Sequence, residues 1–124
     1  MAEAIFNDMA EKNGVCVRAE SFGIATSTGL PVSENSVIVC KEIGIDLSGK
    51  ASTAVADAGI EKYEKFYCMS QSHAKMLMQF FLVQPEKIAV LGISDPYGGD
   101  IDVYRHCRDE IVNSVKEILK AYEN

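Results

Sequence analysis

Apolar and polar positions alternate along this chain with two different periods. In MAEAIFNDMAEKNG, Ile5, Phe6, Met9 and Ala10 recur at the spacing of one buried helical face, and Asn13-Gly14 supplies a stop. VCVRAESFG alternates apolar and polar residues ahead of a turn, which predicts a short strand over Val15–Glu20, and GIATSTGLPVSEN then reads as an exposed loop. A second helix is predicted from about Ser33 to Ile43, capped by Ser33, with Val37, Ile38, Cys40 and Ile43 toward a core and Gly44 as the stop. After a further loop, GIDLSGKAST, a weaker helix covers roughly Ala54 to Glu61, interrupted by Gly59. KFYCM, Lys65 to Met69, suits a buried strand. SQSHAKMLMQFFLV suits a helix capped at Ser70 or Ser72, with Met76, Leu77, Phe80 and Phe81 on its apolar face and its end before Pro85. KIAVLG, Lys87 to Gly92, is another buried strand. From about Ile101 a long helix carries Tyr104, Cys107, Ile111, Val115, Ile118 and Tyr122 at three- and four-residue steps.

The order helix, strand, helix, helix, strand, helix, strand, helix predicts an α/β fold, a three-layer sandwich with helices on both faces of a parallel sheet. Crossovers between parallel strands pass through a helix, so a leading helix implies a strand before it. The first helix starts at Met1 with no Ser, Thr, Asp or Asn to cap it, and a charged amino terminus sits badly against the positive end of a helix dipole. The expectation is an N-terminally truncated domain whose first strand is missing.

Composition narrows the function classes. With 124 residues and 48% hydrophobic content, one domain spanning 1–124 is expected. A formal net charge of −6 with no basic stripe argues against nucleic-acid binding. The longest apolar runs, such as FFLV, fall far short of a membrane span and the polar start is no signal peptide, so a cytoplasmic protein is expected. Cys16, Cys40, Cys68 and Cys107 are isolated, with neither a C-x-x-C pair nor a His at ligand spacing. Such cysteines are ordinarily small buried hydrophobes, and neither zinc nor a disulfide framework is expected. No glycine-rich nucleotide motif is present, and no cofactor is expected.

Ligands in open α/β sheets bind at the carboxyl ends of the strands, which directs attention to the loops Ser21–Gly29, Ser70–Ser72 and Gly92–Asp100. In SDPYGGD, Asp95 stands before a proline that fixes its backbone, followed by Tyr97 and two glycines. That suits a general acid at a site mouth with an aromatic wall for a substrate ring. An ordinary Asp-Pro turn would look the same, and from these residues alone it is the favoured reading. His73 and His106 lie on helices without triad partners, and Lys50 could reach an anion or simply be solvated.

Five segments in register, MAEAIF at the start, SFG at Ser21 to Gly23, GIDLSGK at Gly44 to Lys50, MSQSH at Met69 to His73 and DPYGG at Asp95 to Gly99, closely resemble the low-molecular-weight protein tyrosine phosphatase family, which includes thioredoxin-coupled arsenate reductases. The resemblance implies a four-stranded parallel sheet of order 2-1-3-4, whose first strand ends in a C-x5-R-S-P phosphate loop directly before the M-A-E-A helix. It implies that Asp95 is the general acid, that Tyr97, lining the substrate pocket, and Ser21 bind the substrate, and that the complete protein hydrolyses a phosphotyrosine protein or a small aryl phosphate through a phosphocysteine.

The nucleophile and the phosphate-holding arginine would then lie before Met1. Six residues after the four cysteines stand Phe22, Asp46, Ala74 and Asn113, so no C-x5-R occurs in the chain and an inactive polypeptide is expected. Lys50-Ala51-Ser52-Thr53 replaces a frequent His-Arg-Ala-Arg, and Met69-Ser70 replaces a frequent Met-Asp. Two alternatives are a noncatalytic interaction module on the same fold and an arsenate reductase-like thiol redox protein using Cys68, although MSQSHAKMLM offers no second cysteine. Loss of a central strand further predicts a homodimer or a rearranged sheet in which the Val15 strand pairs with the Lys65 strand.

Overall fold

A computed structural model describes residues 1–22, 33–47, 59 and 62–122. Helix α1, Ala2–Lys12, buries Ile5, Phe6 and Ala10. Its stop is the one the sequence signals. Gly14 takes a left-handed φ of +70°, its N–H donates to Glu11 O at 3.2 Å, and the Val15 N–H donates to Ala10 O at 2.8 Å. Gly44, φ +81°, ends the second helix in the same way, with Gly44 N–H to Lys41 O at 3.0 Å and Ile45 N–H to Cys40 O at 2.9 Å. Both are Schellman closures, in which a residue without Cβ enters the left-handed region cheaply and terminal carbonyls find donors.

The strand expected over Val15–Glu20 is not formed. A strand exists only through a backbone partner, and among the described residues none pairs with this segment. A side chain takes that place: Ala19 N–H donates to Asn7 Oδ1 at 2.8 Å, and Asn7 Nδ2 donates to Ala19 O at 2.9 Å. The Asn amide sets an N–H donor beside a carbonyl acceptor, as a paired strand does, and so imitates a single rung of a ladder. Direct pairing with the Lys65 strand is likewise absent. Phe22, Tyr63 and Phe66 instead meet as tilted and edge-on rings with centroids 5.8 to 6.3 Å apart, and the Tyr63 hydroxyl donates to Glu20.

Helix α2, Glu34–Lys41, is capped by Ser33, whose Oγ accepts from Ser36 N–H at 3.3 Å. Its buried residues are Val39 and Cys40, while Ile38 and Ile43, expected in the core, are exposed. The run Val37 to Cys40 is apolar on every side, so its pattern does not fix the helix's rotation. Tertiary partners do: Arg108 Nη1 donates to Val39 O at 3.0 Å and to Glu42 Oε1 at 2.7 Å, and Arg105 grips the same carboxylate. The helix expected over Ala54–Glu61 lies, apart from Gly59, outside the described residues, as does Lys50.

Strands β1, Phe66–Cys68, and β2, Ile88–Val90, pair in parallel with Phe66 opposite Ile88 and Cys68 opposite Val90. Helix α3, Gln71–Phe80, connects them, capped by Ser70, and packs Ala74 and Leu77 against Phe66 and Cys68. Phe80, expected on the buried face, is 66% exposed. Leu82, at φ +57°, turns the chain so that Val83 N–H returns to Leu77 O at 3.1 Å, and Phe81 and Val83 cover the core there instead.

Helix α4, Ile101–Lys120, buries Tyr104, Cys107, Ile111, Val115 and Leu119. Leu119 is the fully buried continuation of the stripe, and Ile118, expected there from the sequence, packs half-buried against the same core. Together with α1 and α2 it forms the larger core cluster, which includes Ile93 and borders Met69 and Leu91. The α3 cluster and the α1/α2/α4 cluster thus hold alternate residues of the strands and their continuations, the layering of a three-layer α/β fold. Among the described residues no helix is long and apolar enough to cross a membrane.

Candidate active site

The parallel strands end side by side, and their pairing outlasts the strands. Leu91 N–H donates to Cys68 O at 2.7 Å and Ile93 N–H donates to Met69 O at 3.0 Å. Beyond that point the chains diverge, one into α3 and the other into the loop before α4. Divergence of neighbouring strands opens a crevice at their carboxyl ends. Here it is an open cleft of about 520 Å³ lined by residues 69–71 and 90–94.

The loop from Ser94 to Asp100 is held by a set of hydrogen bonds. The Cys107 thiol donates to Ser94 O at 3.8 Å. Asp95 Oδ1 accepts from Tyr97 N–H at 2.9 Å, an Asx turn that turns the carboxylate onto its own loop. Gly99 N–H donates to Pro96 O at 2.9 Å, and Asp100 Oδ1 caps α4 by accepting from Val103 N–H at 3.0 Å. A Cβ on Gly99 would lie 2.7 Å from Val103 Cγ1, so glycine lets the turn sit directly on the helix. Asp95 follows the last cleft residue and is exposed, while Tyr97 stands 87% exposed beside it.

Ser21 is held elsewhere. Its N–H and its hydroxyl both donate to Glu3 Oε1, at 2.7 and 3.2 Å, on the first turn of α1. It is tied to the amino end of that helix and is not part of the cleft wall.

Two further groups meet at this end of the sheet. Cys40 and Cys107 are both buried, and burial is the main reason each thiol is pushed up from its ordinary value. The Met1 amino group acts on both in the opposite direction, and Asp95 helps to raise Cys107. The amino end of α1, Cys40, Cys107 and the Asp95 loop therefore share one neighbourhood. Sequence reasoning placed Cys40 and Cys107 in the core without seeing that they come together. The available signal was Cys107's place on the buried stripe of α4, in the second turn of the helix that follows the DPYGG loop.

Other candidates fall away from it. Burial raises the Cys68 thiol, opposite to what an attacking thiolate requires. His106 pairs with Glu110 at 3.0 Å on the surface, and His73 is exposed on the first turn of α3. Among the described residues no three His, Cys, Asp or Glu side chains converge as metal ligands would.

Known proteins resemble this chain over most of its length. The family model for low molecular weight phosphotyrosine protein phosphatase matches residues 1–124. A protein-arginine-phosphatase of Bacillus subtilis (strain 168) is 26% identical over 129 residues, covering 97% of this chain and 85% of that protein. One from Geobacillus stearothermophilus is 29% identical over 116 residues, covering 86% and 78% respectively. A solved low molecular weight protein tyrosine phosphatase from T. tengcongensis superposes with a TM-score of 0.90 at 26% identity, covering 97% of this chain and 88% of that one.

Proposed function

The chain belongs to the low molecular weight phosphotyrosine protein phosphatase family, and we propose that Asp95 is its general acid and base, with Tyr97 flanking the substrate and Ser21 fixing the approach to the amino end of α1. The family acts on phosphoproteins or phosphate esters. The observation that carries the proposal is the Asp95 loop, anchored at the carboxyl ends of the strands beside the amino end of α1. A helix amino end favours a phosphate dianion. A carboxyl group next to it can protonate the leaving oxygen and afterwards take a proton from the attacking water.

The covalent step needs a thiolate. Cys40, Cys68 and Cys107 are buried with raised thiols, and no cysteine in residues 1–124 is followed six positions later by arginine. These residues form one domain that carries the acid–base half of the reaction, and phosphocysteine chemistry requires a C-x5-R loop that they do not contain. The expected substrate is an aryl phosphate or a phosphotyrosine protein in the cytoplasm. The names of the two curated relatives favour phosphoarginine as a second reading. Either leaving group needs a proton. The uncovered edge of β1, paired only with β2 among the described residues, offers a place for a second copy of the chain. A concentration-independent monomer in light scattering would remove that part of the proposal.

Hydrolysis of p-nitrophenyl phosphate and of phosphoarginine tests the site. The 124-residue chain should stay at background. With a strand and a C-x5-R-S-P segment placed ahead of Met1, turnover should appear, and Asp95→Ala should lower kcat by about 10²- to 10⁴-fold. An unchanged rate would reduce Asp95 to a turn residue. Turnover by the 124-residue chain that vanishes in Asp95→Ala would overturn the division of labour.

A further inference from the structure

The Asp95 loop is secured on its upstream side by Cys68 at the end of β1 and by Met69 after it, whose carbonyls accept from the Leu91 and Ile93 N–H groups. On its downstream side it is secured by the Asp100 cap of α4. Between those points the bonds of Asp95 to Tyr97 and of Pro96 to Gly99 are internal to the loop, so they shape it without attaching it to anything. Among the described residues one bond from another element reaches this stretch, from the Cys107 thiol to the Ser94 carbonyl at 3.8 Å. That carbonyl belongs to the peptide group from which Asp95 begins. Cys107 is 5% exposed and lies on the buried stripe of α4 between Tyr104 and Ile111, so its own position is set by the core.

We propose that Cys107 is a positioning residue for Asp95: its thiol holds the Ser94 carbonyl and thereby fixes the peptide that aims the carboxylate. A thiol is a weak donor, and a weak bond is useful where the core has already immobilised the sulfur and the carbonyl lies within its reach. Burial keeps the group protonated and therefore able to donate. The charges of Glu110 and Asp95 act in the same direction, while the Met1 amino group opposes them. The functional meaning rests on the reading of Asp95 as the acid, whereas the tie itself can be tested without turnover.

Infrared and NMR spectroscopy of the 124-residue chain supply the test. A hydrogen-bonded S–H stretch falls below that of a free thiol, so the band lost in Cys107→Ala should lie below the band lost in Cys68→Ala. In the same variant the Tyr97 amide should exchange about two- to fivefold faster, the equivalent of one weak S–H···O bond, while the Val115 amide in α4 keeps its wild-type rate. Cys107→Ser, which restores a donor, should bring the Tyr97 rate back toward wild type. Cys107→Val, which fills the space without donating, should behave as Cys107→Ala and stands in for it if the smaller side chain loosens the core. Coincident S–H bands, or Tyr97 and Val115 rates that rise by the same factor in both apolar variants, would overturn the proposal. Because no step measures catalysis, these outcomes are separate from whether Asp95 proves to be the acid.

Discussion

Asn7 should matter more to this chain than a polar residue on a helix usually does. Its amide makes two bonds to the Ala19 peptide, at 2.8 and 2.9 Å, and both are half-buried. Each such bond contributes about 0.5 to 1.5 kcal/mol net, so removing both should cost about 1 to 3 kcal/mol. Alanine is the better helix former by up to about 0.7 kcal/mol and partly offsets the loss. With that full offset, Asn7→Ala should destabilise the chain by roughly 0.3 to 2.3 kcal/mol in urea unfolding. Hydrogen exchange at Ala19 separates the two bonds. Protection should be lost in Asn7→Ala, and kept in Asn7→Asp at neutral pH, because the carboxylate retains the acceptor while losing the donor. The consequence should reach Ser21, two residues on, whose bonds to Glu3 lie on the same helix. An Asn7→Ala chain within 0.3 kcal/mol of wild type, with Ala19 still protected, would refute the reasoning by showing that residues 15–20 have a backbone partner after all.

Gly99→Ala would place a methyl 2.7 Å from Val103 Cγ1 and 2.8 Å from Val103 Cβ. Because Cβ cannot rotate away, about 1 to 3 kcal/mol of overpacking is expected in thermal unfolding, and an unshifted melting temperature would show that the turn does not rest on α4. Cys16 is exposed while Cys40, Cys68 and Cys107 are buried, so one thiol should react quickly with a disulfide reagent and three only on unfolding. Four equal rates would contradict the burial. Burial, and then the hydrogen bond to Tyr122, push Tyr67 up from 10.0 to about 12. The unfolded chain ionises first as pH rises, so this contribution is complete below pH 10 and is lost as pH climbs toward 12. Tyr67→Phe should flatten that part of the stability curve relative to wild type, and identical curves would disprove the shift.

Helix positions, caps and stops were legible because their causes are local. Ser33 and Ser70 cap the helices they precede, Gly14 and Gly44 end theirs, and the three- and four-residue steps of α4 needed only the period of the helix. The family was legible for a similar reason, since DPYGG and MAEAIF are short segments whose chemistry and order can be matched without coordinates. Faces were less legible where apolar residues ran together. In Val37 to Cys40 every rotation buries something, and the contact with α4 chose Val39 and Cys40. In Met76 to Phe81 the left-handed turn at Leu82 put Phe81 and Val83 on the core and left Phe80 outside.

By itself, then, the sequence determined which stretches could be helix or strand, where they start and stop, and that an acid-bearing DPYGG turn follows the last strand. Tertiary structure alone decided what those stretches pair with. Alternation in Val15–Glu20 makes a strand available, but a ladder needs a neighbour, and here one rung is supplied by Asn7, twelve residues away. The same holds for the candidate site. Nothing in the spacing of Cys40, Cys107 and the Asp95 loop announces that they come close together. They do so because parallel strands diverge at their carboxyl ends, and α1, α2 and α4 pack together behind that divergence.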